Sequence, residues 1–437
     1  MPRLSESTAC RRTGALTTLV ISLVATVGLV GCMPAAATDV RVRHTLFGMH
    51  DASSSSYAQI DEGAVRLWDV GVQWRDIERT KGHYTWTRLD DLVTAAQQAH
   101  AEVTMVVAMT PSFYASAPTS PPRSLTPYRH FVKALMKRYK NFHGTRGIAA
   151  YQVWNEANIG TFYTGSMARL ASMTKAMHAV RNHVDKRAKV VAPGMVTRLD
   201  YQLKAMSEYY HQKVGGKRVS RYVDAIALSL YPLPTYGHRR GVPEDTVKQL
   251  KVVKRVLHRA HVPASKAIWN TEINYGLNTG SKAGTAASRI TPARQAANVM
   301  RTYLLSAATG VKRVFWYRYD WGQIPGGGTI GNTLLTNPDN TSQVTKAGHA
   351  YARAQAWMHG TLLGSKGHRP CGKDRHGTYR CVVKDSKGKR YIYWNPFRSA
   401  KVRLPKGVHH LEGVLGGKST VTPRSRLKVG FKPVMVH

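Results

Sequence analysis

Eight short apolar runs, each separated from the next by a longer stretch of helical period, constrain the fold of this chain more than any other feature. They are Thr45 to Met49, Ala64 to Trp68, Val103 to Met109, Ile148 to Trp154, Lys189 to Ala192, Asp224 to Leu230, Ala267 to Thr271, and Arg313 to Tyr317. Strands alternating with helices predict a βα-repeated parallel sheet, and eight is the number that closes such a sheet into a barrel. Helix starts support the alternation. Thr126-Pro127 precedes Tyr128, Phe131, Leu135 and Tyr139 on one face, Thr291-Pro292 opens a helix that Gly310 ends, and Ser166 precedes the stripe Leu170, Met173, Met177, Val180 and Val184. The methionines of that stripe read as core filler. After Trp357-Met358-His359-Gly360 the texture changes to short alternating runs, including Tyr391 to Trp394, Val402 to Leu404 and Leu427 to Phe431. The 437 residues thus divide into an α/β domain, a (β/α)8 TIM barrel over 40–358, and a small β-sandwich-like domain over 359–437.

Residues 1–31 have the layout of an export signal: Arg3, Arg11 and Arg12 precede an uncharged apolar run from Gly14 to Val30. The order Leu29-Val30-Gly31-Cys32 resembles a bacterial lipobox, which would make Cys32 the lipidation site and anchor the chain to the cell membrane. Cleavage after Ala35-Ala36-Ala37, or retention of the run as an anchor, also fits. All three readings put the body outside the cytoplasm. In an exported protein Cys371 and Cys381, ten residues apart, predict a disulfide closing a hairpin, and a zinc site would need more ligands at regular spacing.

Lys and Arg number 64 against 24 Asp and Glu, a net charge of +40 spread along the chain. Such a field concentrates anionic polymers or surfaces and weakens with salt, although a general compositional bias would look the same. With no nucleic-acid-binding motif, specific nucleic acid binding is not expected, and an anionic envelope polymer or acidic polysaccharide is the first partner to consider.

Two acidic residues follow predicted barrel strands, where such folds build active sites. Glu156 lies in Tyr151-Gln152-Val153-Trp154-Asn155-Glu156-Ala157-Asn158, after the fourth strand, and Glu272 in Ile268-Trp269-Asn270-Thr271-Glu272-Ile273-Asn274-Tyr275, after the seventh. Paired carboxyls of this kind serve glycosidic cleavage. One stays protonated to help the leaving oxygen depart, while the other is ionised to attack or stabilise the oxocarbenium-like centre.

Asn-Glu after strand four with Glu after strand seven resembles the signature of clan A retaining glycoside hydrolases. Within the clan, Tyr151 to Asn158, Phe162-Tyr163, Lys189 to Ala192, and the run from Arg66-Leu67-Trp68 through Trp74, Glu78, Gly82, Tyr84, Trp86, Leu89 and Asp90 are similar to bacterial members of glycoside hydrolase family 39. Thr333-Leu334-Leu335-Thr336, leading to Ala350-Tyr351 and a β-domain, fits the same group. The resemblance implies Glu156 as general acid/base and Glu272 as nucleophile. Asn155 would bind the hydroxyl beside the reacting carbon, Arg66 would keep Glu272 ionised, and Tyr231 would donate to it. Trp316 would be either a sugar platform or barrel core, and His50, Asp51 and Trp68 would contact sugar. Two positions depart from the pattern: Ala157 stands where many relatives have Pro, which should loosen the turn, and Ser229 where many have His. The expected activity is hydrolysis of a polysaccharide or glycoconjugate with no metal or organic cofactor. The competing expectation is a non-catalytic carbohydrate- or wall-binding lipoprotein on the same barrel.

Overall fold

The computed structural model describes residues 39–50, 60–232, 241–276, 290–318, 333–337, 340–365 and 369–437. The signal segment, Cys32 and Asp51 lie outside the described residues.

Eight parallel strands form a closed ring: β1 (Phe47–Met49), β2 (Ala64–Leu67), β3 (Glu102–Val106), β4 (Ala150–Gln152), β5 (Lys189–Val191), β6 (Ala225–Ser229), β7 (Ala267–Ile273) and β8 (Val311–Trp316). Each pairs with its sequence neighbour, and β8 pairs with β1 to close the barrel. All eight predicted runs are found. The lumen is packed by alternating sizes, with Ala64, Ala150, Ala225 and Ala227 making room for Trp269 and Phe315. Gly48 on β1 is part of that fit, because a Cβ there would lie 2.6 Å from the Phe315 ring.

Among the described residues helices follow seven of the strands: α1 (Thr87–Gln98), α2 (Leu125–Tyr139), α3 (Met167–Val184), α4 (Asp200–His211), α5 (Pro243–Arg259), α6 (Pro292–Ala308) and α7 (Lys346–Met358). Ser166 and Thr291 cap α3 and α6 through their hydroxyls, as their positions predict. For α2 the cap is Ser124 rather than Thr126, whose own backbone N–H is the one Ser124 satisfies. Leu170, Met173 and Met177 are buried as core filler.

The second domain is a sandwich-like sheet of β9 (Thr361–Leu362), β10 (Tyr379–Asp385), β11 (Gly388–Trp394), β13 (His410–Gly413), β14 (Lys418–Thr420) and β16 (Val434–Val436), with the ribbon β12 (Ala400–Arg403) and β15 (Arg426–Val429) beside it. Cys371 and Cys381 are joined in a disulfide, and Gly372–Lys373 pairs antiparallel with Tyr379–Arg380 to make the hairpin it closes. Val40–Arg41, expected with the barrel, instead pairs antiparallel with β9 and forms the edge of this second sheet. The segment from Val40 to Leu46 then runs beneath the barrel. There it lines a cavity of about 370 Å³ with Glu102, Lys189, Asp224 and Arg313, at the N-terminal ends of the strands.

A buried polar clamp joins the two domains. Glu244, in the first turn of α5, accepts from Arg301 Nε (2.9 Å) and Nη2 (2.5 Å) on α6, and from Trp394 Nε1 (2.7 Å) on β11. Arg301 Nη1 also reaches the carbonyl of Phe431 at 3.4 Å. With a planar fork and an indole donor on one carboxylate, both charges are compensated where water is absent.

Candidate active site

Arg66, fully buried at the end of β2, organises the mouth of the barrel. Its Nε donates to Gln152 Oε1 on β4 (2.9 Å), its Nη2 to Asn155 Oδ1 (2.7 Å), and its Nη1 to Glu272 Oε2 on β7 (3.5 Å). One rigid guanidinium thereby ties strands two, four and seven together, a task its fork geometry suits. Tyr231, just past β6, donates its hydroxyl to the other oxygen of Glu272 at 2.8 Å. Burial, and next the Glu272 charge, holds that phenol well above its ordinary range, so it remains a donor.

Glu272 is aimed by a bulge. Against β6 the register runs from Leu228↔Asn270 to Ser229↔Glu272, and against β8 from Val314↔Asn270 to Trp316↔Ile273, so β7 carries one extra residue relative to both neighbours. Such insertions bend a strand and turn a side chain out of the regular alternation.

Glu156 is held differently. Its φ of 38° is in the left-handed region that side chains with a Cβ rarely adopt. The surroundings over-determine this conformation. Ala157 N–H donates to Gly194 O and Gly194 N–H to Trp154 O, both at 2.9 Å. The side chain of Asn158 bridges to Val196 N (2.8 Å), Val196 O (2.7 Å) and Gln202 O (3.0 Å). The bond from Ala157 is one that proline could not make, so the departure from Pro adds a tie to the turn rather than loosening it. Gly194 is required for the approach, since a Cβ there would sit 2.9 Å from Gln152 Nε2 and 3.1 Å from Glu156 N.

Burial raises the carboxyl of Glu156 above its ordinary range, opposed by Ser229, Arg198 and Arg66. The Ser229 hydroxyl stands beside it yet closes no well-formed hydrogen bond among the described residues. Burial, and next the charge of Glu156, raises Glu272 as well, opposed by Arg66 and the Tyr231 hydroxyl. The two carboxyls therefore titrate as a coupled pair, which resists holding two negative charges at once. Burial and the charge of Glu156 push Glu272 up to about 8, against two donors that Glu156 lacks among the described residues. Glu272 has a guanidinium and a phenol in hydrogen-bond reach, and Glu156 has neither.

The remaining predicted residues divide. His50 is buried beside Arg66, with Nε2 2.9 Å from Thr271 O and 3.2 Å from Arg66 Nη1. Burial and Arg66 lower its pKa well below the ordinary value, so the neutral ring donates to the carbonyl and the guanidinium is a neighbour rather than a partner. The ring also packs edge-on against Tyr317, with ring centres 4.8 Å apart. Trp316 is buried and donates Nε1 to Thr333 O at 2.8 Å, as the barrel-core alternative expects. Trp68 is buried edge-on to Phe162, with only 4% of its surface exposed. Three further residues belong to the site. Gln152 orients Arg66, Asp69 accepts from the Tyr317 hydroxyl and adds to the upward pressure on Glu272, and the Arg198 guanidinium lies 5.9 Å from the centre of the Tyr231 ring. Gln152 lies within the Tyr151 to Asn158 stretch and Asp69 directly follows Arg66-Leu67-Trp68, but nothing in their spacing distinguishes them. Arg198 follows no motif at all. Among the described residues no group of three or more His, Cys, Asp or Glu is placed to hold a metal ion.

No family model matches the sequence, and no curated protein matches it either. Solved structures do match. A family 39 glycoside hydrolase from the gut symbiont Bacteroides cellulosilyticus WH2 superposes with a TM-score of 0.65 at 16% identity, over 89% of this chain and 79% of that one. A family 39 β-xylosidase from Caulobacter crescentus gives 0.63 at 14% identity, over 92% and 98%. A family 30 endoxylanase from Clostridium papyrosolvens C71 gives 0.58 at 13%, over 91% and 97%. The chain thus has the fold of clan A glycoside hydrolases, barrel and β-domain together.

Proposed function

We propose that this chain is a retaining glycosidase, with Glu272 as nucleophile and Glu156 as general acid/base. The supporting observation is the asymmetry of donors around two buried, coupled carboxyls: Arg66 and Tyr231 favour the charge on Glu272, and the proton is left to Glu156. In the first step Glu156 protonates the departing oxygen while Glu272 attacks the anomeric carbon, forming a glycosyl ester. In the second, Glu156 takes a proton from water, whose oxygen attacks the same carbon and frees Glu272. Asn155, fixed by Arg66, is positioned to bind the hydroxyl beside the reacting carbon. The residues supply acid, base and nucleophile, so no cofactor is required by this route.

The substrate class in this reading is a glycan carrying negative charge. Arg198 lies over the Tyr231 ring and its charge acts on Glu156, yet it has no carboxylate within ion-pair distance among the described residues, and its Nε has no partner there. A carboxylate, sulfate or phosphate on the sugar would complete it. Export and a lipid anchor at Cys32 complete the proposal and put the enzyme at the cell envelope.

Intact mass spectrometry after exposure to 2-deoxy-2-fluoro glycosyl fluorides, with xylosyl and uronosyl members in the panel, tests this reading. An adduct mapped to Glu272, absent in Glu272→Gln, is the expected result. No adduct with any sugar, together with no hydrolysis of envelope polysaccharides, would move the assignment to a carbohydrate-binding protein without turnover.

A further inference from the structure

The second domain carries a cleft that the catalytic reading does not use. It occupies about 650 Å³ on the outer face of the sheet, between β10 and β11 on one side and the β12 ribbon on the other. Sequence alternation produces it. On β10 and β11, Cys381, Val383, Ile392 and Trp394 are buried in the main core, so Arg380, Val382, Lys389 and Tyr391 project to the opposite face. The ribbon covers part of that face through Val402 and Leu427, but Lys401 and Arg403 alternate outward with Val402 and stay exposed along the rim.

The lining is polarised. Arg369, Arg380, Lys389, Lys401 and Arg403 face the cleft, and the one acidic lining residue, Asp374, accepts from the backbone N–H groups of His376 and Thr378. Among the described residues none of these five cations has a carboxylate within ion-pair distance. Arg380 lies over the half-buried ring of Tyr391, 5.3 Å from its centre. Five cations without a carboxylate partner among the described residues, one of them (Arg369) donating Nη1 to the Thr309 carbonyl at 3.0 Å, surround a tyrosine-lined cleft and make a surface that lowers the free energy of a bound polyanion with apolar ring faces.

We propose that this cleft binds a linear anionic polysaccharide, holding polymer on the second domain while the barrel acts on it. The choice of a glycan as the polyanion rests on the glycosidase reading of the barrel. The cleft itself stands on its own geometry. Cation–anion contacts at a solvated rim are individually weak, so affinity should come from several at once and fall with salt.

The experiment measures binding of the whole chain carrying Glu272→Gln, so that turnover plays no part. Probes are polygalacturonate, dextran, a single-stranded DNA oligonucleotide and phosphatidylglycerol vesicles, each at two salt concentrations. The triple variant Lys389→Gln/Lys401→Gln/Arg403→Gln alters only exposed residues. It is compared with Lys133→Gln/Lys137→Gln/Lys140→Gln, exposed positions at α2 that remove the same charge elsewhere. The expected result is polygalacturonate binding that weakens by about tenfold or more in the cleft variant and changes little in the control, with dextran not bound. Equal losses in both variants, or none in either, would overturn the proposal, because attraction would then belong to the diffuse charge of the chain. Cleft-dependent binding of DNA or vesicles in place of polygalacturonate would overturn the glycan assignment. Mass-spectrometric labelling of Glu272 in the chain without Glu272→Gln is read separately, so either result can fail while the other holds.

Discussion

Removing the guanidinium of Arg66 is the sharpest test of how the site divides one proton between two carboxyls. At the 3.5 Å separation of Arg66 and Glu272, Coulomb's law with an effective dielectric constant of about 20 gives roughly 5 kcal/mol. The charge is spread over a fork that also serves Asn155 and Gln152, so about half of that acts on Glu272, a factor of roughly 50 in its ionisation. Glu272 is already pushed upward by burial and by Glu156, and without Arg66 it rises further. In Arg66→Met the rate of Glu272 labelling by an activated fluoro-sugar should drop by about 50-fold at neutral pH, and the acid limb of its pH profile should move to higher pH. Arg66→Lys keeps the charge but cannot span all three partners, so it should recover the position of the acid limb more than the rate. Thermal unfolding of each variant gives the structural cost separately, since stranding the acceptors of Gln152 and Asn155 is worth about 1–3 kcal/mol apiece. A labelling profile unchanged in shape and rate, with only the melting temperature lowered, would refute the electrostatic role.

Three other outcomes follow from the structure. A carboxyl whose folded pKa lies above its unfolded value contributes stability that is present at low pH and lost as pH rises through the folded value, so Glu272→Gln should melt higher than the parent at pH 7.5, with the gap narrowing toward pH 4. Arg301→Met should cost about 3–5 kcal/mol, because it leaves the buried Glu244 carboxylate without its fork, and the double change with Glu244→Gln should cost less; chemical denaturation of the three variants decides it. Replacing Cys371 and Cys381 together by Ser opens a ten-residue loop and should lower stability by about 2–3 kcal/mol, read as earlier unfolding of the second domain by limited proteolysis.

The barrel was legible in the sequence because each strand is a short apolar run bracketed by helix signals, and serine or threonine caps at Ser166 and Thr291 mark their helices without tertiary help. Glu156 and Glu272 were legible as acids ending such runs. Their supports were not. The bulge in β7 depends on register with two neighbours, and the left-handed turn at Glu156 depends on Gly194, 38 residues away. For Trp316 the resemblance left sugar platform and barrel core both open, because a strand end does not say whether a side chain points over the mouth or back into the wall. The hydrogen bonds from His50 to the Thr271 carbonyl and from Trp316 to the Thr333 carbonyl depend on tertiary placement in the same way. The pairing of Val40–Arg41 with β9 was hidden for a related reason: two residues carry no period, and their partner lies more than 300 positions away.

That short pairing has a mechanical consequence. The described chain begins under the barrel, at the end opposite Glu156 and Glu272, and its first strand is an edge of the second sheet. A pull applied through the residues ahead of 39 would load two strand residues first and reach the C-terminal sheet before the barrel. The pair could peel away as a compliant leader while the eight-stranded ring stays unstressed.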